Sequence, residues 1–328
     1  MKLWEDAIRI QLFGTEAYEF GLYCAIGAAC AIAALCVACR HLKIPQAAAL
    51  TTGLLCLLLG TVFSRITFCL LDFELGEMLP VSEWTRITTG GWALFGMIGG
   101  AILAAWIGAR ITKQKPLRML DAVTLALPLM IAAERFGELH QNGFDTGRPM
   151  KEGTRMIGFL TFRDELESRI ATFRLASILA FVLFVILVIY LFQKQRRDGE
   201  VWIRFMMLCG AGGVILESMR GDEFLIYSFV RLQQVLAAAM LIWGVILAVL
   251  RGKRAGKSLR AVTAVSLILA VGISIAIEFG FDRTQISHVL LYVIMITVLA
   301  IPVVLGFILL AGANKGQEAP YSSETAEA

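Results

Sequence analysis

The sequence predicts an all-α integral membrane protein: a polytopic bundle of about nine transmembrane helices with an ordered extracytoplasmic loop or cap. Three observations lead there. Hydrophobic residues make up 58% of the 328 positions and charged residues 17%, against about 45–50% and about 25% in average soluble domains. Mean hydropathy is +0.74. The apolar residues gather into runs near the roughly 20 residues that a helix needs to cross a bilayer core. A helix is then the expected form of each run, because lipid cannot satisfy open backbone groups.

The predicted spans cover residues 20–39, 46–71, 91–109, 119–137, 173–192, 202–218, 230–250, 261–279 and 288–312. The fourth and sixth end in charge, at Glu134/Arg135/Glu138 and Glu217/Arg220, so their last turns are expected to face away from lipid. Lys and Arg set orientation. Every second connection is basic: Arg40 and Lys43; Arg110, Lys113, Lys115 and Arg118; Lys194, Arg196 and Arg197; Arg251, Lys253, Arg254, Lys257 and Arg260. The connections between them are acidic or mixed, as at Asp72, Glu74, Glu77 and Glu83, then Glu278 and Asp282. This predicts a multi-pass membrane protein with its N-terminus outside and its C-terminus in the cytoplasm.

Residues 1–250 read as the core, 251–312 as two additional helices and 313–328 as a polar, disordered cytoplasmic tail. Residues 138–172 form the outer loop or cap, with short helices expected in the charged stretch TFRDELESRIATFRLAS. No cleavable signal peptide is expected, since the first 19 residues are mixed and charged and lack a short apolar segment with a small-residue cleavage site. The net charge of +4 and the short basic clusters give no reason to expect a nucleic-acid partner. The seven cysteines lack zinc-finger spacing. Cys36 and Cys39 form a C-x-x-C, but inside an apolar helix, so all seven read as small packing residues. No metal and no cofactor is expected.

Charges at span ends are the candidate site. Arg65 lies near the end of span two, Glu134, Arg135 and Glu138 close span four, Glu217 and Arg220 close span six, and Gln233 and Gln234 open span seven. All fall on the predicted outer side. Ionisable groups in membrane segments usually face a bundle interior or a wet cavity. Arg135 and Glu138, like Glu217 and Arg220, are three apart and share a helix face. The planar arginine fork stays charged and binds phosphate bidentately, so the set suits an anionic phospholipid. Interfacial anchoring and intrahelical ion pairs are the alternative. Glycines 90, 91, 96, 99, 100 and 108 allow close helix packing or backbone approach to a headgroup.

In this order the segments resemble the bacterial prolipoprotein diacylglyceryl transferase family. FGLYCAIG (20–27) resembles its Y-G-L-M start. GTVFSRITFCLLDF (60–73) resembles G-A-R-x-x-Y-V-L-F, with Arg65 at the arginine. GGWALFGMIGG (90–100) resembles G-G-L-S-F-H-G-G-L-x-G. LDAVTLALPLMIAAERFGELHQNGFDTGRP (120–149) resembles the stretch around G-R-x-G-N-F-x-N-G-E-x-x-G-R. There Arg135 and Gly137 match directly; Asn142, Gly143, Gly147 and Arg148 match with one residue inserted. GVILESMRGDEF (213–224) resembles F-R-x-x-x-E-x-x-R at Glu217 and Arg220, and VRLQQVLAAAMLIWGVIL (230–247) resembles the M-G-Q-x-L-S span. The resemblance covers roughly residues 15–250. Phe95 stands at the family's histidine, Glu138 at its first asparagine and Gly213 at an arginine. Of R-x-P-S-Q-L-Y-E, the segment 169–176 keeps little beyond Arg169 and Thr172.

The resemblance implies transfer of diacylglyceryl from phosphatidylglycerol to the thiol of a lipobox cysteine in a prolipoprotein signal peptide, with glycerol phosphate leaving. It implies catalytic roles for Arg135, Glu138 and His140, with Glu134 a further candidate base. The headgroup would be bound by Arg65, Arg135, Asn142, Arg148, Glu217, Arg220 and Gln233. A relative that keeps the phospholipid-binding bundle without this chemistry is the alternative. An unrelated transporter would be expected to show internal repeats or broken mid-membrane helices, and the sequence shows neither.

Overall fold

In the computed structural model, which describes residues 9–12, 15–71, 73–74, 77–78, 81–85, 91–137, 147–148, 158–163, 168–193, 196–221, 226–227, 230–284 and 286–314, the apolar runs become helices. In chain order they are α1 (Glu19–His41), α2 (Gln46–Leu71), the short α3 (Val81–Trp84), α4 (Leu94–Ile111), α5 (Pro116–Gly137), α6 (Thr172–Leu191), α7 (Glu200–Met219), α8 (Leu232–Arg251), α9 (Lys257–Arg283) and α10 (His288–Asn314). All but α3 are long and apolar enough to cross a membrane, nine among the described residues. The chain is thus an all-α, multi-pass membrane protein. The expected tail from 315 lies outside the described residues.

Among the described residues there are four two-stranded antiparallel hairpins, one before α1 and three in alternate connections. They are β1 (Arg9–Leu12) with β2 (Thr15–Tyr18), β3 (Phe73–Glu74) with β4 (Glu77–Met78), β5 (Thr161–Arg163) with β6 (Ser168–Ile170), and β7 (Ile226–Tyr227) with β8 (Val230–Arg231). The third corrects an expectation. The charged stretch from 161 was expected to be helical, yet Thr161 pairs with Ile170 and Phe162 with Arg169. β-branched and aromatic residues here favour a pleated surface, and only Thr172 onward has the uninterrupted apolar run of a helix.

The chain divides into two compact units, residues 1–186 with 219–232, and residues 187–218 with 233–328. In the first, α2 packs on α4 and α1 on α5. The α4 stripe Gly96, Gly100, Ala104 and Gly108 recurs every four residues, one face of a helix. A Cβ on Gly96 would meet the Phe63 carbonyl, one on Gly100 the Leu59 carbonyl, and one on Gly108 the Thr52 side chain. The glycines therefore act as packing residues that let two backbones touch. Gly27 and Gly137 do the same for α5, against Ala133 and Tyr23. Matching turns join α1 to α2 and α4 to α5. Each has a lysine at positive φ, Lys43 and Lys113, both at 56°, and the amides of Ile44 and Gln114 bond back to Cys39 and Ala109 carbonyls at 2.8 Å. Pro45 and Pro116 follow, where a stopped helix commonly has proline.

In the second unit, α7 and α8 are joined by the same device. A Cβ on Gly210 would meet Ala237 and Leu241 backbone, and Gly244 faces Met206 and Met207. Arg204 is buried, pairs with Glu200 at 3.3 Å and lies 4.4 Å from the Tyr190 ring centroid, so its charge is balanced inside the protein.

Candidate functional site

Arg65 rises from the last two turns of α2 and is 7% exposed. Its Nη1 donates to the Gly91 carbonyl at 3.1 Å and its Nε to the Trp84 carbonyl at 3.4 Å. Its guanidinium lies over the Phe68 and Trp92 rings, 5.6 and 6.0 Å from the centroids. Gly91 has φ +83° and no room for a Cβ against Phe68. The backbone at the start of α4 therefore receives Arg65, and two of the guanidinium's five N–H donors hold the protein's own turn.

A cavity of about 390 Å³ opens between α1, α2, α4 and α5. Its walls are apolar along most of their length, with Leu35, Leu57, Met97 and Leu127 among them, and Ser64, Trp92 and Glu134 lie among its lining. On α2 the lining runs from Gly53 to Ser64, about 16 Å at 1.5 Å per residue. The shape is an elongated, largely apolar slot with a carboxylate at one end. Arg135 follows Glu134 in the last turn of α5 and is 8% exposed. Tyr23 packs edge-on against Phe136, 5.5 Å between centroids, and fixes that turn to α1.

Arg148 and Arg220 meet on the backbone of the first unit. Gly147 and Arg220 form an isolated antiparallel bridge. The Gly147 amide donates to the Ile170 carbonyl at 2.8 Å, and the Arg148 amide to the Met219 carbonyl at 3.1 Å. Glycine is required on both sides of this junction. A Cβ on Gly147 would come within 2.7 Å of Ile170 Cβ and carbonyl, and one on Gly221 within 2.7 Å of the Gly147 carbonyl. Arg231 Nη2 donates to the Arg220 carbonyl at 3.0 Å. Arg220 is buried and Arg148 half-buried.

In the second unit, Glu217 and Gln233 are 8% and 3% exposed. They lie where α7 and α8 run against each other, one turn beyond the Gly213–Ala237 approach. Glu138, His140 and Asn142 lie outside the described residues. Trp84, Arg231, Glu278 and Tyr292 were not singled out from the sequence for the contacts they make. Only Glu278 carried a signal, as an acid near the end of an otherwise apolar run.

A family model described as prolipoprotein diacylglyceryl transferase matches residues 7–250. The chain belongs to the prolipoprotein diacylglyceryl transferase family. It is similar to the protein of Clostridioides difficile named phosphatidylglycerol–prolipoprotein diacylglyceryl transferase, 25% identical over 256 residues that cover 76% of this chain and 96% of that protein. The protein of the same name from Symbiobacterium thermophilum is 30% identical over 165 residues, 49% of this chain and 61% of that one. For the one from Thermotoga maritima the figures are 27%, 194 residues, 56% and 64%. The prolipoprotein diacylglyceryl transferase segment stops where α8 ends, so α9 and α10 lie beyond it. Within the segment, Gly213 has a physical consequence. A Cβ there would sit 2.9 Å from Ala237 Cβ, so this α7–α8 seam has closed over the place where the family pattern carries an arginine.

Proposed function

We propose that this chain transfers diacylglyceryl from phosphatidylglycerol to a lipobox cysteine thiol of a prolipoprotein signal peptide. What supports this is the junction at which Gly147 and Arg148 dock on Met219 and Arg220, because it fixes two family-pattern arginines on neighbouring backbone. Arg148 is the residue after the bridged Gly147, so this junction sets the spacing of the two arginines along paired backbone.

In the reaction, the cysteine sulfur forms a bond to the terminal glyceryl carbon as that carbon's bond to a phosphate oxygen breaks. The electron pair leaves with glycerol phosphate, and the thiol proton passes to a base. Arg148, Arg220 and Arg135 would stabilise the charge that grows on the phosphate, the kind of term that dominates such catalysis. A thiol with pKa near 8.5 needs a base in reach. Glu134 lines the cavity; Glu138 and His140 are the other candidates. The slot between α1, α2, α4 and α5 would hold an acyl chain, with Glu134 and Arg135 at the headgroup end. Orientation completes the reading: the N-terminus and the four hairpins outside, the C-terminus in the cytoplasm.

A second reading, a phospholipid-binding relative without transfer, is favoured by Phe95 at the family's histidine and by the closed seam at Gly213. The experiment is transfer of labelled diacylglyceryl to a lipobox peptide by purified protein, together with rescue of a strain depleted of its transferase. Thioether product and rescue are expected. No product, both before and after Phe95→His, would leave only the second reading.

A further inference from the structure

We infer that Glu278 and Tyr292, on the helix pair beyond the family segment, are positioning residues for the Gln233 and Glu217 end of α7–α8; this rests on reading that end as part of the headgroup site. Two hydrogen bonds carry it. Gln234 Nε2 donates to Glu278 Oε1 at 2.6 Å and also reaches the Val214 carbonyl at 3.3 Å. Tyr292 Oη donates to the Ser218 carbonyl at 3.2 Å. Each contact lands one residue from a candidate headgroup residue, Gln234 beside Gln233 and Ser218 beside Glu217.

The chemistry explains why such a brace is useful. The Ser218 carbonyl is among the last four of α7, which have no partner within the helix, and the tyrosine hydroxyl supplies one. Gln234 sits in the first turn of α8, where its amide has several rotamers to choose from. The Glu278 carboxylate fixes one of them through a short, charge-assisted bond. Gln233 is then held with its own side chain buried and its Oε1 receiving no hydrogen bond from the protein. A buried acceptor left in that state is unfavourable until a donor arrives, and the hydroxyls of a glycerol headgroup are donors.

The brace is itself rigid. The Phe281 ring on α9 packs on Tyr292 of α10 at a 39° tilt, 4.6 Å between centroids, and meets His288 edge-on at 5.4 Å. Glu278 and Tyr292 therefore reach α8 and α7 from one aromatic-locked end of the α9–α10 pair. Within the second unit, the additional helices thus brace the end of α7–α8 that carries Glu217 and Gln233.

The test measures phosphatidylglycerol retained by the purified full-length protein in native mass spectrometry, with melting temperature and peptide transfer followed in parallel. Glu278→Ala should weaken phosphatidylglycerol binding about tenfold, about 1.4 kcal/mol, and raise the KM for that lipid with little change in kcat. Glu278→Gln keeps the acceptor oxygen and should bind within about threefold of the wild type. Tyr292→Phe removes only one hydroxyl and should weaken binding severalfold, which keeps the idea testable if Glu278→Ala fails to fold. Wild-type binding by both Glu278→Ala and Tyr292→Phe would overturn the inference, as would a Glu278→Gln protein as weak as Glu278→Ala. Wild-type protein that binds phosphatidylglycerol in this pattern but transfers nothing would sink the transferase reading and leave the brace standing.

Discussion

Replacing Gly147 by valine removes no charge and touches no substrate, yet it should disable the site. The glycine's amide donates to the Ile170 carbonyl at 2.8 Å, and the next amide donates to Met219 at 3.1 Å. A valine Cβ would press on Ile170 Cβ and on the carbonyl oxygen that accepts the first bond. Strand and glycine must separate, and both bonds go. At about 1 kcal/mol per amide bond and at least about 1 kcal/mol for overpacking, the docked segment loses about 3 kcal/mol. Arg148 then leaves Arg220, and kcat/KM should fall roughly a hundredfold. The assay is transfer to a lipobox peptide beside a melting curve. The long helices do not depend on this junction, so the melting temperature should move far less than activity. A Gly147→Val protein with wild-type kcat/KM would refute the reasoning, because the junction would then not be what aligns the arginines.

Arg135→Ala should lower transfer at least about a hundredfold, the worth of a fixed charge donor in a dry site, with lysine restoring only part because a point charge lacks the fork; equal activity of the lysine and wild-type proteins would count against it. Gly100→Leu should destabilise α2 on α4 by about 3 kcal/mol, the upper end of overpacking, since the obstacle is Leu59 backbone. Faster labelling of the buried Cys69 by a maleimide dye on heating would show it, and an unchanged melt would exclude it. Cysteines placed at positions 76 and 150 should be labelled from outside intact cells, those at 114 and 255 should not; labelling at 255 would reverse the proposed orientation.

The nine helices were legible because each is a continuous apolar run, and the structure moves their ends by a few residues only. Arg135 and Glu217 were read as turned away from lipid, and both are buried in protein. What could not be read is every contact that depends on distant chain. Arg65 bonds to carbonyls 19 and 26 residues away, and the Gly147–Arg220 bridge joins positions with no shared periodicity. Gln234 and Glu278 stand 44 residues apart, and Glu278 looked like one more acid of an outer connection. The β5–β6 hairpin was missed because a charged, mixed stretch carries no clear period.

The two glycine-lined seams decide which joints of the first unit are tight and which are loose. α2 is fused to α4, and α1 to α5, at contacts where backbone meets backbone or a methyl and nothing can rotate aside. The slot lies between these fused pairs and is walled by both. A double-chained molecule entering sideways from the bilayer cannot part either pair without tearing its helices from one another. The looser joints are α1 with α2 and α4 with α5, and each of those hairpins is closed at one end by a tight lysine turn. Both turns lie at the end opposite Glu134 and Arg135, so the chain ties the two pairs together at that end and leaves the joints between them untied by any turn at the arginine end.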